Sequence, residues 1–129
     1  MMKWIVRFHD EFEREFMAMA VEVQNELLAR ARLLATLGPI LGRPQVDTLA
    51  GSKHANMKEM RFDAGNGVWH VAFAFDPERS AILLVAGDKS GVSQKRFYRS
   101  LIDRADCRFD DHLRTLPSKR REPSYGTDA

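Results

Sequence analysis

The sequence predicts an α+β fold, in which a small antiparallel β-sheet is joined to helices on both sides of it in the chain. Within residues 68–75, large apolar side chains such as Trp69 and Phe73 alternate with smaller or polar ones such as His70. This period of two indicates a strand with one face in a core. Before and after this region, apolar residues recur every three to four positions, which is typical of amphipathic helices.

The composition excludes several classes of protein. A chain of 129 residues that is 44% hydrophobic is long and apolar enough to fold around one core. Its net charge of only +2 is weak evidence for nucleic-acid binding. It has no apolar run near the ~18 residues of a membrane span and no secretory signal pattern. Cys107 is the single cysteine, which excludes an internal disulfide and suits a reducing cytoplasm, so we expect a cytoplasmic protein without a membrane partner.

A short strand and a helical region are predicted before the central strands. Residues 4–8 are rich in β-forming side chains and are expected to form the strand. Asp10 followed by Glu13 fits an N-cap with a carboxylate three residues later, so a helix should begin there. Whether residues 10–38 form one helix or two stays open, because no glycine or proline marks a break.

The second half of the chain is expected to carry the sheet and a last helix. Residues 39–54 are predicted to be a loop, since they contain two prolines and two glycines. Three strands are predicted to follow at residues 55–63, 68–76 and 80–88. The short connections between them favour antiparallel pairs. Ser93 can cap a helix that Pro117 ends, and the whole is predicted to be one domain over residues 1–116 with a disordered tail at 117–129.

A resemblance to a known family rests on segments that together cover nearly all of the chain except the tail. They are HDEFE (9–13), VQNELLARARLLATLGPILGRP (23–44), VDTLAGSKHANMKEMRF (46–62), GVWHVAFAFDPERSAILLVAGDKSG (67–91) and KRFYRSLIDRADCRFDDHL (95–113). Together they resemble the RelE/ParE superfamily of toxins from type II toxin–antitoxin modules, in particular its phage-derived, HigB-like branch. The resemblance implies a RelE-like fold, cleavage of mRNA that is often ribosome-bound, and neutralisation by a cognate antitoxin of helix-turn-helix type.

Three residues are the candidates for catalysis. Cleavage of RNA without a metal or other cofactor needs a base, an acid and cations that stabilise the phosphorane. Strand alternation places Arg61 and His70 on the same kind of face. The resemblance implies a phosphate-binding role for Arg61, and it matches Lys89 to a loop that supplies a catalytic cation. We therefore expect the catalytic set Arg61, His70 and Lys89.

Arg61 and its acidic neighbours also have simpler interpretations. Arg61 could form a surface ion pair with Glu59 or Asp63, an arrangement worth roughly 0–1 kcal/mol. Glu59 could instead act as a general base in support of catalysis. Lys89 could be a solvated turn residue, and Asp88 could orient His70 or Lys89.

His70 is both a candidate and a departure from the family pattern, in which arginine is usual at this position. Histidine can transfer protons near neutral pH. It lacks the permanent charge and the bidentate geometry of arginine, so the change could weaken or abolish activity. The alternative interpretation is a hydrogen-bonded structural histidine.

Further side chains are predicted to contact RNA phosphates, which would give affinity without sequence information. They are Lys53, His54, Lys58, Lys95 and Arg96. Each of them could equally be a solvated cation. Tyr98 could stack on a base or pack against the sheet.

The leading hypothesis is a toxin endoribonuclease that cleaves mRNA, in association with the ribosome, by attack of the 2′-hydroxyl. A first alternative is a non-enzymatic toxin like the gyrase-poisoning branch of the superfamily, which should not need Arg61, His70 or Lys89. A second is a degenerate copy that keeps antitoxin binding and autoregulation, for which His70 is the motive.

Overall fold

A computed structural model of the chain describes residues 4–117, and it confirms the predicted α+β class. Within these residues, one sheet has the strand order β1-β5-β4-β3-β2. Its strands are β1 (Ile5–Phe8), β2 (Val46–Thr48), β3 (Met57–Ala64), β4 (Gly67–Phe75) and β5 (Ser80–Asp88). The helices are α1 (Asp10–Met17), α2 (Val21–Leu37) and α3 (Gln94–Thr115), and a 3-10 turn follows α2 at Gly38–Ile40. None of the helices in this part of the chain is long and apolar enough to cross a membrane.

The central strands pair as predicted, with β3, β4 and β5 antiparallel and joined by two tight turns. In the first turn Gly65 has φ +59°, a backbone conformation that suits glycine. The second turn closes around Asp76, whose Oδ1 accepts hydrogen bonds from the backbone N–H groups of Glu78 and Ser80 at 2.9 Å each. An aspartate that binds its own backbone in this way favours a turn.

The sheet has two features that the sequence did not predict. β1 pairs in parallel with β5, from Ile5 opposite Ser80 to Phe8 opposite Leu83, so the sheet is mixed. β2 lies in the segment that was predicted to be a loop, and it pairs antiparallel with β3. A strand of three residues among prolines and glycines is too short to give a period-two signal.

Residues 10–38, for which one helix or two stayed open, form two helices with a break between Met17 and Val21. The predicted N-cap of α1 is wrong by one residue, since His9 is the cap and its Nδ1 accepts from the Glu11 backbone N–H at 3.2 Å. α2 ends as predicted at Gly38, which has φ +59°. A β-carbon at Gly38 would lie 2.2 Å from the Trp4 indole, so only glycine fits.

Both faces of the sheet are covered, and the prediction of a single buried face is therefore wrong. On one face α1 and α2 contribute Phe12, Leu27 and Leu34 to a core with Val71 and Phe73 of β4. The other face packs against the apolar stripe of α3, whose buried members are Phe97, Leu101, Ala105 and Phe109. α3 itself agrees with the prediction, because the Ser93 side chain caps it and Leu116 follows its last turn. The predicted tail lies, from residue 118 on, outside the described residues.

Candidate catalytic site

The strand register brings two of the predicted catalytic residues together. Arg61 on β3 lies directly opposite His70 on β4, so the predicted common face is confirmed. α3 begins over this pair, and the rings of Phe97 and Tyr98 pack edge-on against the imidazole at centroid distances of 5.2 and 5.7 Å. The histidine consequently lies beneath the first turn of a helix.

His70 is 1% exposed and belongs to a hydrogen-bonded group of three side chains. Its Nδ1 lies 2.5 Å from Oε2 of Glu59. The Tyr98 hydroxyl donates to the same Glu59 oxygen at 2.7 Å, and it lies 3.2 Å from His70 Nδ1. The other imidazole nitrogen, Nε2, is buried and has no hydrogen-bond partner among the described residues. The buried position of His70 means that it does not present a nitrogen to solvent.

The ionisation of this group is set by burial and by its internal hydrogen bonds. Burial raises the pKa of Glu59, but hydrogen bonds from His70 and Tyr98, helped by the charge of Arg61, outweigh it and leave the pKa below its usual range. Burial, reinforced by the hydrogen bond to Glu59, raises the pKa of Tyr98. At neutral pH, Glu59 is therefore a carboxylate and Tyr98 a protonated phenol.

Two cations stand beside this group. The Arg61 side chain is exposed and makes no ion pair with any described residue, so the predicted alternative of a pair with Glu59 or Asp63 is not seen. Lys89, in the loop after β5, has its Nζ 5.8 Å from the centroid of the Tyr98 ring, within the range of a cation–π contact. We call Glu59, Arg61, His70, Lys89 and Tyr98 the candidate site.

Asp88 shapes the loop that carries Lys89. Its Oδ1 accepts from the Ser90 backbone N–H at 3.1 Å and from the Ser90 hydroxyl at 2.8 Å, and these bonds lower the pKa of Asp88. The residue that orients His70 is Glu59 rather than Asp88. Gly67, at the start of β4 beside the end of β5, leaves room for the Asp88 carboxylate, since a β-carbon there would lie 2.5 Å from Asp88 Oδ2.

The residues predicted to bind RNA separate into two groups. Lys53 and His54 are engaged within the protein, since both pair with Asp110 of α3, at 2.5 and 2.8 Å. Lys58 of β3 lies opposite Thr48 of the edge strand β2, and its Nζ donates to the Thr48 hydroxyl at 3.3 Å. This contact is on the sheet face opposite to Arg61. By contrast, Lys95 and Arg96 are exposed at the end of α3 that carries Tyr98, and neither makes an ion pair with a described residue.

Tyr98 is the member of the site that sequence reasoning left undecided. A tyrosine next to an apolar stripe predicts packing as readily as binding, and only the fold reveals its contact with Glu59, 39 residues earlier in the chain. The one available signal was its position, one turn into a helix that follows the basic loop.

The fold is that of a RelE-type toxin. Among solved structures, the toxin RelE of Escherichia coli, in the free state and with two arginines replaced by alanine, matches with a TM-score of 0.54, covering 90% of this chain and 100% of RelE. At 11% identity this likeness concerns the fold alone.

The family follows from the sequence comparisons. The family described as phage-derived protein Gp49-like matches residues 14–110. Two proteins of Mycobacterium tuberculosis that are named as toxins are also similar. HigB3 is 43% identical over 103 residues, which cover 80% of this chain and 88% of HigB3. HigB2 is 41% identical over 105 residues, 78% of this chain, which spans about half (52%) of the length of HigB2. The chain belongs to the Gp49-like, HigB-like family of toxins, as the sequence predicted.

Proposed function

We propose that this chain is the toxin of a type II toxin–antitoxin module and that it cleaves mRNA by attack of the 2′-hydroxyl on the adjacent phosphate. The observation that carries the proposal is the pair of cations, Arg61 and Lys89, left without ion-pair partners among the described residues and standing beside the Tyr98 hydroxyl. Cations placed where negative charge develops are the largest single contribution in many reactions of this kind.

The roles divide between charge stabilisation and proton movement. In this proposal Arg61 binds the non-bridging phosphate oxygens, and Lys89 neutralises or protonates the leaving 5′-oxygen. The Tyr98 hydroxyl accepts the proton of the attacking 2′-hydroxyl while it passes its own to Glu59, 2.7 Å away. The products are a 2′,3′-cyclic phosphate and a 5′-hydroxyl. Because the lowered pKa makes Glu59 a weak base, most of the rate enhancement must come from the two cations.

His70 acts in this proposal as a positioning residue, because it is too buried to touch RNA. Its hydrogen bond fixes the Glu59 carboxylate that receives the Tyr98 proton. In place of the arginine that the resemblance implies, this chain has a histidine that is hydrogen-bonded inside the fold, which argues against the interpretation of this chain as a degenerate copy.

The partners follow from the relationship to the HigB toxins. We propose a toxin domain over residues 1–116 that works in the cytoplasm on ribosome-bound mRNA and is neutralised by a cognate antitoxin of helix-turn-helix type. Co-purification of the tagged chain with the product of the neighbouring gene tests the antitoxin directly. If the tagged chain purifies without that product, and growth arrest is still complete when both genes are expressed, the proposed antitoxin is contradicted.

Expression in cells tests the nuclease. The chain, its Arg61→Ala and Lys89→Ala variants and an Arg14→Ala control on α1 are induced, and new RNA 5′ ends are mapped across the transcriptome. We expect growth arrest and new ends in coding regions for the original chain and the control, and neither for the two site variants. Growth arrest without new RNA ends would overturn the nuclease proposal and favour the gyrase-poisoning alternative.

A further inference from the structure

A cleft of about 260 Å³ lies between the end of β5 and the first turns of α3. Its floor is apolar, with Val85, Phe97 and Leu101 among the residues that form it. Its rim carries Arg96, Ser100 and Arg104, which are exposed residues on the same helix.

The cleft exists because the sheet is incomplete at this edge. β1 ends at Phe8, opposite Leu83, so no other strand of residues 4–117 neighbours the remainder of β5 on that side. The Arg108 guanidinium donates at 2.8 Å to the carbonyl of Leu84, the residue that the bulge between β4 and β5 leaves without a partner in the register. Among the described residues, the edge of β5 beyond Leu83 is open as far as the loop that carries Lys89.

Among the described residues, arginines are the only charged groups that line the cleft. Among the described residues that line it there is no carboxylate, and neither Arg96 nor Arg104 makes an ion pair within residues 4–117. The polar cleft at the other end of α3 differs in this respect, because carboxylates of Asp10, Glu11 and Asp111 line it together with its arginines. An apolar floor with two arginines and a serine at its rim is complementary to a ligand with a flat apolar part and a negative charge.

The cleft adjoins the candidate site. Gly87, in its wall, is paired with His70 across the strands. The Phe97 ring separates the two, with one edge toward His70 and a surface in the cleft. Tyr98 is the next residue along the helix. An RNA chain bound at Lys89, two residues after Gly87, can therefore continue into the cleft.

We propose that this cleft is a nucleotide-binding subsite for single-stranded RNA, with a base on the apolar floor and the adjacent phosphate between Arg96 and Arg104. The RNA class of the ligand rests on the proposed function. The volume lies just below the ~300–1,000 Å³ of drug-sized ligand pockets, which suits one nucleotide and excludes a duplex. Bases accept an apolar or aromatic platform without regard to sequence, and arginine binds phosphate in a bidentate manner.

The test measures binding rather than cleavage. The probe is a single-stranded uridine hexamer with 2′-O-methyl riboses, which lacks the attacking hydroxyl, and its Kd is measured over a series of salt concentrations. Arg96→Ala and Arg104→Ala should each weaken binding about tenfold and reduce the slope of log K against log salt by about 0.7. Ser100→Leu fills the cleft without changing its charge, so it should weaken binding about tenfold and leave the salt slope unchanged.

Arg99→Ala is the matched control, because Arg99 is an exposed arginine of the same helix that does not line the cleft. Its Kd should change less than that of either cleft arginine. If Ser100→Leu binds with the original Kd, or if Arg99→Ala and Arg96→Ala lose affinity equally, the proposed subsite is contradicted. Because the probe cannot be cleaved, cleft-dependent binding without any RNA cleavage contradicts only the nuclease, whereas cleavage with unchanged binding in the cleft variants contradicts only the subsite.

Discussion

The two halves of α3 use their charged side chains in opposite ways. From residue 106 to 115 each charged side chain has a partner, as in Arg108 with Glu15, Asp110 with Lys53 and His112 with Asp76. From residue 94 to 104 none of the charged side chains makes an ion pair within the described chain. Four of these unpaired side chains are cationic: Lys95, Arg96, Arg99 and Arg104.

The difference indicates which part of the helix stabilises the fold and which part is available to a ligand. The paired half ties α3 to α1, to the turn after β4 and to the loop before β3. The unpaired half begins beside Tyr98 and Lys89. Within α3, three of the four acidic residues, Asp106, Asp110 and Asp111, lie in the paired half, and the net charge of +2 for the whole chain does not reveal this separation.

Asp76→Ala should have the largest effect of any single change at the paired end. The Asp76 side chain is wholly buried, accepts from two backbone N–H groups at 2.9 Å and lies 2.8 Å from His112 Nε2. Its removal leaves these donors without an acceptor, so the free energy of unfolding should fall by about 3 kcal/mol in urea denaturation. Asp63→Ala, at an exposed and unpaired aspartate, should change it by less than about 0.5 kcal/mol. If Asp76→Ala and Asp63→Ala lower the free energy of unfolding equally, the claim that the Asp76 contacts stabilise the fold is contradicted.

Arg108→Met should have the next largest effect. The Arg108 side chain is 8% exposed and holds both Glu15 and the Leu84 carbonyl. Loss of a buried ion-pair partner costs about 3–5 kcal/mol, but Glu15 remains 40% exposed and can regain water, so we expect about 2 kcal/mol. Arg104→Ala, one turn earlier and unpaired, should leave the unfolding midpoint unchanged. If Arg108→Met has the same free energy of unfolding as the original chain, the Arg108 contacts do not stabilise the fold.

Tyr98→Phe should separate function from stability at the other end of the helix. Phenylalanine keeps the ring packing against His70 and loses only the hydroxyl that donates to Glu59. We expect cleavage to slow about tenfold in single-turnover assays, a barrier increase of about 1.4 kcal/mol, with a smaller change in stability. An unchanged cleavage rate would remove Tyr98 from the proton path.

The smallest expected effect is a pH dependence at Glu59. Its pKa is lowered in the folded state, so its contribution to stability is complete above the ordinary pKa of about 4 and is lost as the pH falls through the folded value. Between pH 6 and pH 3, the original chain should therefore lose about 1 kcal/mol more stability than Glu59→Gln. If the free energy of unfolding falls by the same amount in both proteins between pH 6 and pH 3, the Glu59 contacts do not favour the ionised form.

Much of the sheet could be predicted because strands and tight turns leave local signals. The alternation in β4, the glycines around Asn66 and the Asp76-Pro77 turn are all visible within a few residues. The parallel pairing of β1 could not be predicted, since it joins residues 75 positions apart and depends on the helices between them. The break between α1 and α2 was undecided because it uses neither glycine nor proline.

For the candidate site, the sequence could predict only which side chains share a face of the sheet. Strand parity places Arg61 and His70 together, but parity does not reveal what covers that face. α3 buries the histidine and leaves the arginine in solvent. Whether a cation is unpaired also depends on distant residues, as Lys53 and Asp110 illustrate.

The central claim is that Arg61 stabilises the transition state of RNA cleavage, and cleavage of an mRNA bound to purified ribosomes by the purified protein tests it most directly. The original chain and Arg14→Ala should leave 2′,3′-cyclic phosphate ends at equal rates. Arg61→Ala should cleave roughly 100- to 1,000-fold more slowly with unchanged thermal stability. Cleavage by Arg61→Ala at the original rate would contradict the account.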